Sequence, residues 1–186
     1  MNKPQGYDET KEFGEFEVLP AGGHKCLIKK VVCEKTQAGK DYLKIGFDIA
    51  EGKYKDFYQK KFNNDIRSPE ERKWSGIWTM FIEGYNPETT NPKFKGLITS
   101  VEMSNNGFKF NFNEQELVGK KVGIVFREEE FIGQDGEIHT TTKPFYAVSY
   151  DNVEETKIPM KKSIKKENNP FAANEFTPVT DDDLPF

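Results

Sequence analysis

"YLKIGFDIAEG", Tyr42 to Gly52, alternates with a period of two. Leu43, Ile45, Phe47 and Ile49 fall on one side, and Tyr42, Lys44, Gly46 and Asp48 on the other. Successive side chains of a strand point to opposite faces, so this stretch reads as a strand with one face in a core and one in water. The chain before it, "HKCLIKKVVCEK" (His24–Lys35), has a second strand pattern, and "TQAGKD" (Thr36–Asp41) between them is a turn signal.

Downstream, "KYKDFYQKKF" (Lys53–Phe62) reads as a third strand region, dense in lysine and aromatic rings. "SPEERKW" (Ser68–Trp74) reads as a short helical turn, with Ser68 as N-cap and Pro69 at the first helical position. "WSGIWTMFI" (Trp74–Ile82) is open between strand and helix. "NPKFKGLITSVEMSN" (Asn91–Asn105) spaces Phe94, Leu97, Ile98 and Val101 at helical intervals, which predicts an amphipathic helix of about three turns. "NEQELVG" (Asn113–Gly119) reads as a short capped helix. Two strands follow, "KKVGIVFREEEFI" and "EIHTTTKPFYAVSYDNV", joined as a hairpin by "GQDG" (Gly133–Gly136).

The order is two strands, a strand region, a helix and a strand hairpin. It matches a mainly β fold of the OB class: a five-stranded Greek-key barrel with its helix between strands three and four, here with inserted helices. A β-sandwich with helical insertions is the competing architecture. The domain runs over residues 21–153, behind a flexible N-terminal arm at 1–20 in which Phe13 and Phe16 are possible anchors. From residue 154 to 186 apolar periodicity is lost, so this part reads as a disordered linker ending in an acidic tip.

Hydrophobic residues make up 35% of the 186 residues, yet there are sixteen Phe, so the core rests on phenylalanine and some rings are available for work. The densest apolar run, "IWTMFI" (Ile77–Ile82), is far too short to span a membrane. The N-terminus lacks the apolar region of a signal peptide, and the expected location is the cytoplasm. Cys26 and Cys33 on one strand lie about 23 Å apart, beyond the roughly 7 Å a disulfide needs; both read as core thiols. His24 and His139 have no partner at metal-ligand spacing, so no metal and no cofactor is expected.

The net charge is −4, but residues 25–73 hold thirteen Lys and Arg against eight acids. All the positive excess thus sits in one stretch, on the strands that bind oligonucleotides in an OB barrel. The candidate contacts there are Lys35, Lys40, Tyr42, Lys44, Lys53, Tyr54, Lys55, Phe57, Tyr58, Lys60, Lys61, Arg72, Lys73 and Trp74. Cations neutralise phosphates and release counterions. Rings stack on unpaired bases for roughly 1–3 kcal/mol each, and a duplex hides those base faces. The mixture therefore points to single strands. A solvated lysine face with core aromatics is the plainer reading; Phe47, Phe62, Phe81 and one Trp are core candidates.

The sequence contains no phosphate-binding Gly-rich loop and no nucleophile elbow, so the chain is not expected to be an enzyme. Glu128 and Glu130 in "FREEEF" share a strand side and could together bind a metal, but a charged, solvated strand edge is the reading taken.

The C-terminus reads "NPFAANEFTPVTDDDLPF" (Asn169–Phe186). It resembles the tail of bacterial single-stranded DNA-binding proteins, in which a linker ends in Asp-Asp-Asp-(Ile/Leu)-Pro-Phe. The match lies in Asp181, Asp182, Asp183, Leu184, Pro185 and Phe186; residues 20–150 look like a divergent, phage-type member. The resemblance implies that the tip recruits replication, recombination and repair proteins. Phe186 with its carboxylate offers an apolar anchor beside an anion that a cation can clamp. Pro185 limits the entropy lost on docking, and the aspartates speed encounter with a basic surface. An acidic tip opposite a basic middle also predicts that the tail competes for the DNA face. The alternatives are an adaptor that engages host replication enzymes without tight DNA binding, and a strand-annealing recombination protein, which would form higher homo-oligomers.

Overall fold

A computed structural model describes residues 2–5, 7, 17–86 and 88–164. Five strands form one antiparallel sheet: β1 (Gly22–Lys35), β2 (Asp41–Ile49), β3 (Ile77–Phe81), β4 (Lys121–Ile132) and β5 (Ile138–Val148). Their spatial order is β3-β2-β1-β4-β5. Helix α1 (Phe57–Asn63) lies between β2 and β3, and helix α2 (Pro92–Ser104) between β3 and β4. The expected closed barrel is, in the described residues, an open sheet in which β3 and β5 are the two ends.

β1 organises the sheet because it is long enough to pair twice. It pairs with β2 from Cys26↔Ile49 to Lys35↔Asp41, and with β4 from Gly22↔Phe126 to Leu27↔Lys121. The β2 register slips between Ile28 and Lys30. An extra residue at such a bulge bends the strand and reverses the phase of its side chains. Accordingly Cys26 and Ile28 are buried before it and Val31 after it, while Lys29 and Lys30 are both exposed.

The inward residues build the core: Leu43, Ile45, Phe47 and Ile49 of β2, Trp78 and Met80 of β3, and Val122, Ile124 and Phe126 of β4. The α2 stripe of Phe94, Leu97, Ile98 and Val101 closes it, as the helical spacing predicts. Asn91 caps α2 by accepting from the Lys93 N–H, and Pro92 opens the helix without needing a donor. "NEQELVG" forms a single 3-10 turn, Glu114–Leu117, capped by Asn113. The β4–β5 hairpin turns at Gly133–Gly136, where Gly136 takes a φ of 80°.

The segment Lys53–Phe62 is not a strand. It is a turn followed by α1, and the cause lies in β2. Asp48 has the phase of an outward residue but is 1% exposed. Its carboxylate accepts N–H bonds from Ile49 at 2.8 Å, Tyr58 at 2.9 Å and Gln59 at 3.1 Å. The first N–H groups of a helix have no internal partner, and this buried anion supplies one. Asp56 turns the chain into the helix at a φ of 58°. The third strand is therefore Ile77–Phe81, which settles the ambiguous "WSGIWTMFI" as β. "SPEERKW" makes a turn in which the Ser68 carbonyl accepts from Glu71 and Arg72.

Three other expectations change. Of the core candidates, Phe47 is buried and Trp78 is the buried tryptophan, but Phe62 is only half-buried and Phe81 is 45% exposed. Phe81 has the outward phase of β3, set by its pairing with Tyr42. Cys26 is buried, which pushes its thiol up, whereas Cys33 is exposed; both are free. Residues 154–164, read as part of a disordered linker, pack on the sheet. The Lys162 N–H donates to the Glu128 carbonyl and the Glu130 N–H to the Lys162 carbonyl, both at 2.9 Å. β4 continues past its pairing with β1, so its edge there has free backbone groups, and Lys162 satisfies two of them. Among the described residues no helix is long and apolar enough to cross a membrane.

Candidate nucleic-acid interface

The outward residues of β1, β2 and β3 line up in rows. Register places Glu34, Tyr42 and Phe81 in one row, Val32, Lys44 and Thr79 in the next, and Lys30, Gly46 and Ile77 in the third. The middle of the last row has no side chain, and a shallow cavity of about 450 Å³ opens there. Lys29, Lys30, Lys44 and Glu34 line it, with Gln59 of α1, Trp74 and Ile77. Ile77 and Phe81, four residues apart on the outward side of β3, are each more than 40% exposed.

Two interactions set the electrostatics of this face. Tyr42 donates its hydroxyl to Glu34, and the Lys44 ammonium reaches the same carboxylate at 2.9 Å. The Tyr42 hydrogen bond, and then Lys44, hold the Glu34 carboxyl below the usual glutamate range. One cation is thus partly neutralised. Lys29 and Lys30 form no ion pair among the described residues, so the row end near Ile77 carries the free positive charge. Trp74 is fixed there by its indole N–H, which donates to the Phe47 carbonyl at 3.2 Å and the Gly76 carbonyl at 3.1 Å. Its ring packs against Phe62 at 6.0 Å between centroids.

Of the residues expected to touch a ligand, Tyr42, Lys44 and Trp74 meet on this face. Lys35 and Lys40 flank it at the β1–β2 turn; Lys35 pairs with Asp41 at 2.8 Å. Lys53, Lys55, Lys60, Lys61 and Lys73 are exposed, with the Lys60 ammonium bonded to the Lys55 carbonyl at 2.8 Å. Arg72 is half-buried and donates to the Arg67 carbonyl at 3.1 Å. Phe57 and Tyr58 are not presented on this face: both are buried against the sheet, and burial pushes the Tyr58 hydroxyl up. Tyr54 is half-buried, in T-shaped contact with His24 at 5.8 Å and Phe57 at 6.4 Å, with the Lys53 ammonium 5.2 Å from its ring centre. The tip, Asp181–Phe186, lies outside the described residues.

Lys29, Lys30, Gln59, Ile77 and Phe81 were not legible as site residues from composition. For the two lysines a signal exists. Strict alternation across "IKKV" would drive one lysine into the core, so adjacent lysines between two buried aliphatics demand a bulge. No cluster of three or more potential metal ligands occurs among the described residues. Glu130 is instead paired with Lys161 at 2.9 Å, and Glu129 with Arg127.

An open trough of cations and rings, without an activated nucleophile in it, suits ionic and stacking contacts with an extended ligand. No protein-family model matches this chain, and no curated protein matches it.

Proposed function

We propose that this protein binds single-stranded DNA without strong sequence preference and uses its acidic tip to recruit replication, recombination and repair proteins. The observation that carries the binding half is the outer face of β1–β3, where the unpaired Lys29 and Lys30 adjoin Trp74 and the exposed Ile77, with the exposed Phe81 two rows away beside Tyr42. Cations there neutralise phosphates, and the rings stack on bases that only a single strand exposes.

The fold reading that goes with it is an OB barrel left open along one seam. The strand order supports it, as does the position of α2 between the third and fourth strands. So does a candidate face on the second and third strands, where that class binds oligonucleotides. The tip half rests on the resemblance of Asp181–Phe186 to bacterial single-stranded DNA-binding proteins, with a divergent, phage-type domain in front. In this reading the protein is a cytoplasmic, non-enzymatic binder.

The test is a titration of intrinsic tryptophan fluorescence with oligo-dT and with duplex, at several salt concentrations. Trp78 is buried and Trp74 lines the trough, so quenching by dT should come from Trp74 and vanish in Trp74→Phe. Affinity for a single strand should fall with salt at a log–log slope of about −0.7 per phosphate contacted. A protein that ignores oligo-dT in dilute buffer is not a single-strand binder.

A further inference from the structure

β3 and β5 end the sheet, and among the described residues no ladder joins their outer edges. A second cavity, of about 710 Å³, lies between them. Its lining includes Ile77 and Thr79 of β3, threonines 140–142 and Lys143 of β5, Lys61 of α1 and Lys93 of α2. Ile77 also lines the trough on the outer face, so the two cavities meet at that side chain.

The charges of the seam do not cancel. Lys61, Lys93 and Lys143 face Glu17 and Glu129. Glu129 is already held by the Arg127 guanidinium, with Lys143 at 3.9 Å from it. Lys61 makes no ion pair among the described residues. The Lys93 ammonium lies 4.5 Å from the centre of the Phe145 ring, and Arg127 stacks on the same ring at 3.9 Å. Desolvation, and then the nearby Arg127 charge, hold Lys93 below the usual lysine range. An anion placed beside Lys93 would favour its charged form. Threonine hydroxyls and unpaired strand-edge N–H groups supply further donors. This lining suits an extended polyanion better than a peptide strand, which needs the edges but not the lysines.

We propose that the β3/β5 seam is a second stretch of the nucleic-acid track. It takes the phosphodiester backbone of the same single strand after that strand leaves the outer face at Ile77. The inference rests on the single-strand reading above and extends it: the occupied length is set by face and seam together.

The test compares oligo-dT of about five and about twenty nucleotides, one near the lower end and one beyond the upper end of the roughly 4–16 nucleotides one OB fold covers. Two variants are compared with the unaltered protein, one carrying Lys61→Ala, Lys93→Ala and Lys143→Ala, the other Lys30→Ala and Lys44→Ala. The seam variant is expected to weaken long-oligo binding at least tenfold, to lower its salt slope by about 2, near three phosphates at about 0.7 each, and to leave the short oligo unaffected. The outer-face variant should weaken both lengths. A single Thr141→Glu, which only adds an anion to the seam, repeats the test should the triple variant unfold. Unchanged long-oligo affinity and slope in the seam variants, with the outer-face loss intact, would overturn the seam while leaving the proposed function standing. Failure of the unaltered protein to bind either oligo would overturn both.

Discussion

Tyr42 and Tyr58 each stand among lysines in the chain, and they finish on opposite sides of the boundary with water. On β2, Tyr42 and Lys44 share an outward face by the period of two, so ring and cation stay side by side in solvent. In "KYKDFYQKKF" the backbone turns and then winds. Phe57 and Tyr58 rotate onto the sheet while Lys60 and Lys61 point away. Lysines keep to water in either conformation, because a bare ammonium is costly to bury. The fate of a ring depends on the period of the backbone that carries it. A stretch rich in both residue types therefore locates the positive charge but does not say which rings can meet a base.

The sharpest way to break this contrast is to cut one ring from each region. Phe57→Ala should lose about 3–5 kcal/mol of stability, the cost of emptying a core site, read as a lower urea midpoint. Its affinity per folded molecule for a short oligo-dT held on the outer face should not change. A variant that kept its urea midpoint but lost DNA binding would return Phe57 to the list of contacts.

Asp48→Ala comes next. Three N–H donors lose a charged acceptor, and such bonds contribute about 1.5–3 kcal/mol each, so a destabilisation of about 3 kcal/mol is expected once water reaches some of them. Hydrogen exchange at Tyr58 and Gln59 should accelerate more than exchange in β4. Uniform acceleration would mean that α1 does not depend on this carboxylate.

Phe81→Ala inverts the first result. At 45% exposure it should change stability little, while oligo-dT binding weakens by about 1–3 kcal/mol if one base stacks there.

The smallest effect concerns Glu34. Its folded-state pKa is depressed, first by the Tyr42 hydroxyl and then by Lys44. A depressed carboxylate contributes stability above its unfolded pKa and loses it as pH falls through the lower folded value. The Glu34 carboxyl should titrate by NMR below the usual glutamate midpoint and move back up in Tyr42→Phe. Glu34→Gln should also free Lys44 and tighten oligo-dT binding a few-fold at low salt. Weaker binding in that variant would show that the carboxylate orders the face rather than opposing the ligand.

What the chain declared on its own was local. The phase of Leu43, Ile45, Phe47 and Ile49, the helical stripe from Phe94 to Val101, the capped turn at Asn113, and the Gly133–Gly136 turn each depend on residues a few positions apart, and all appear in the fold. The basic excess of residues 25–73 and the spelling of Asp181–Phe186 are likewise properties of order alone. Tertiary structure decided the rest. Asp48 bends the third strand region into α1 because its partners lie ten and eleven residues on. The bulge in β1 turns Lys29 and Lys30 outward together, Ile77 and Phe81 join the face only through their pairing with β2, and the seam exists only where the first and last strands of the ladder approach. Those outcomes depend on which distant groups compete for one buried anion or one strand edge, and such a competition is settled only when the chain is folded.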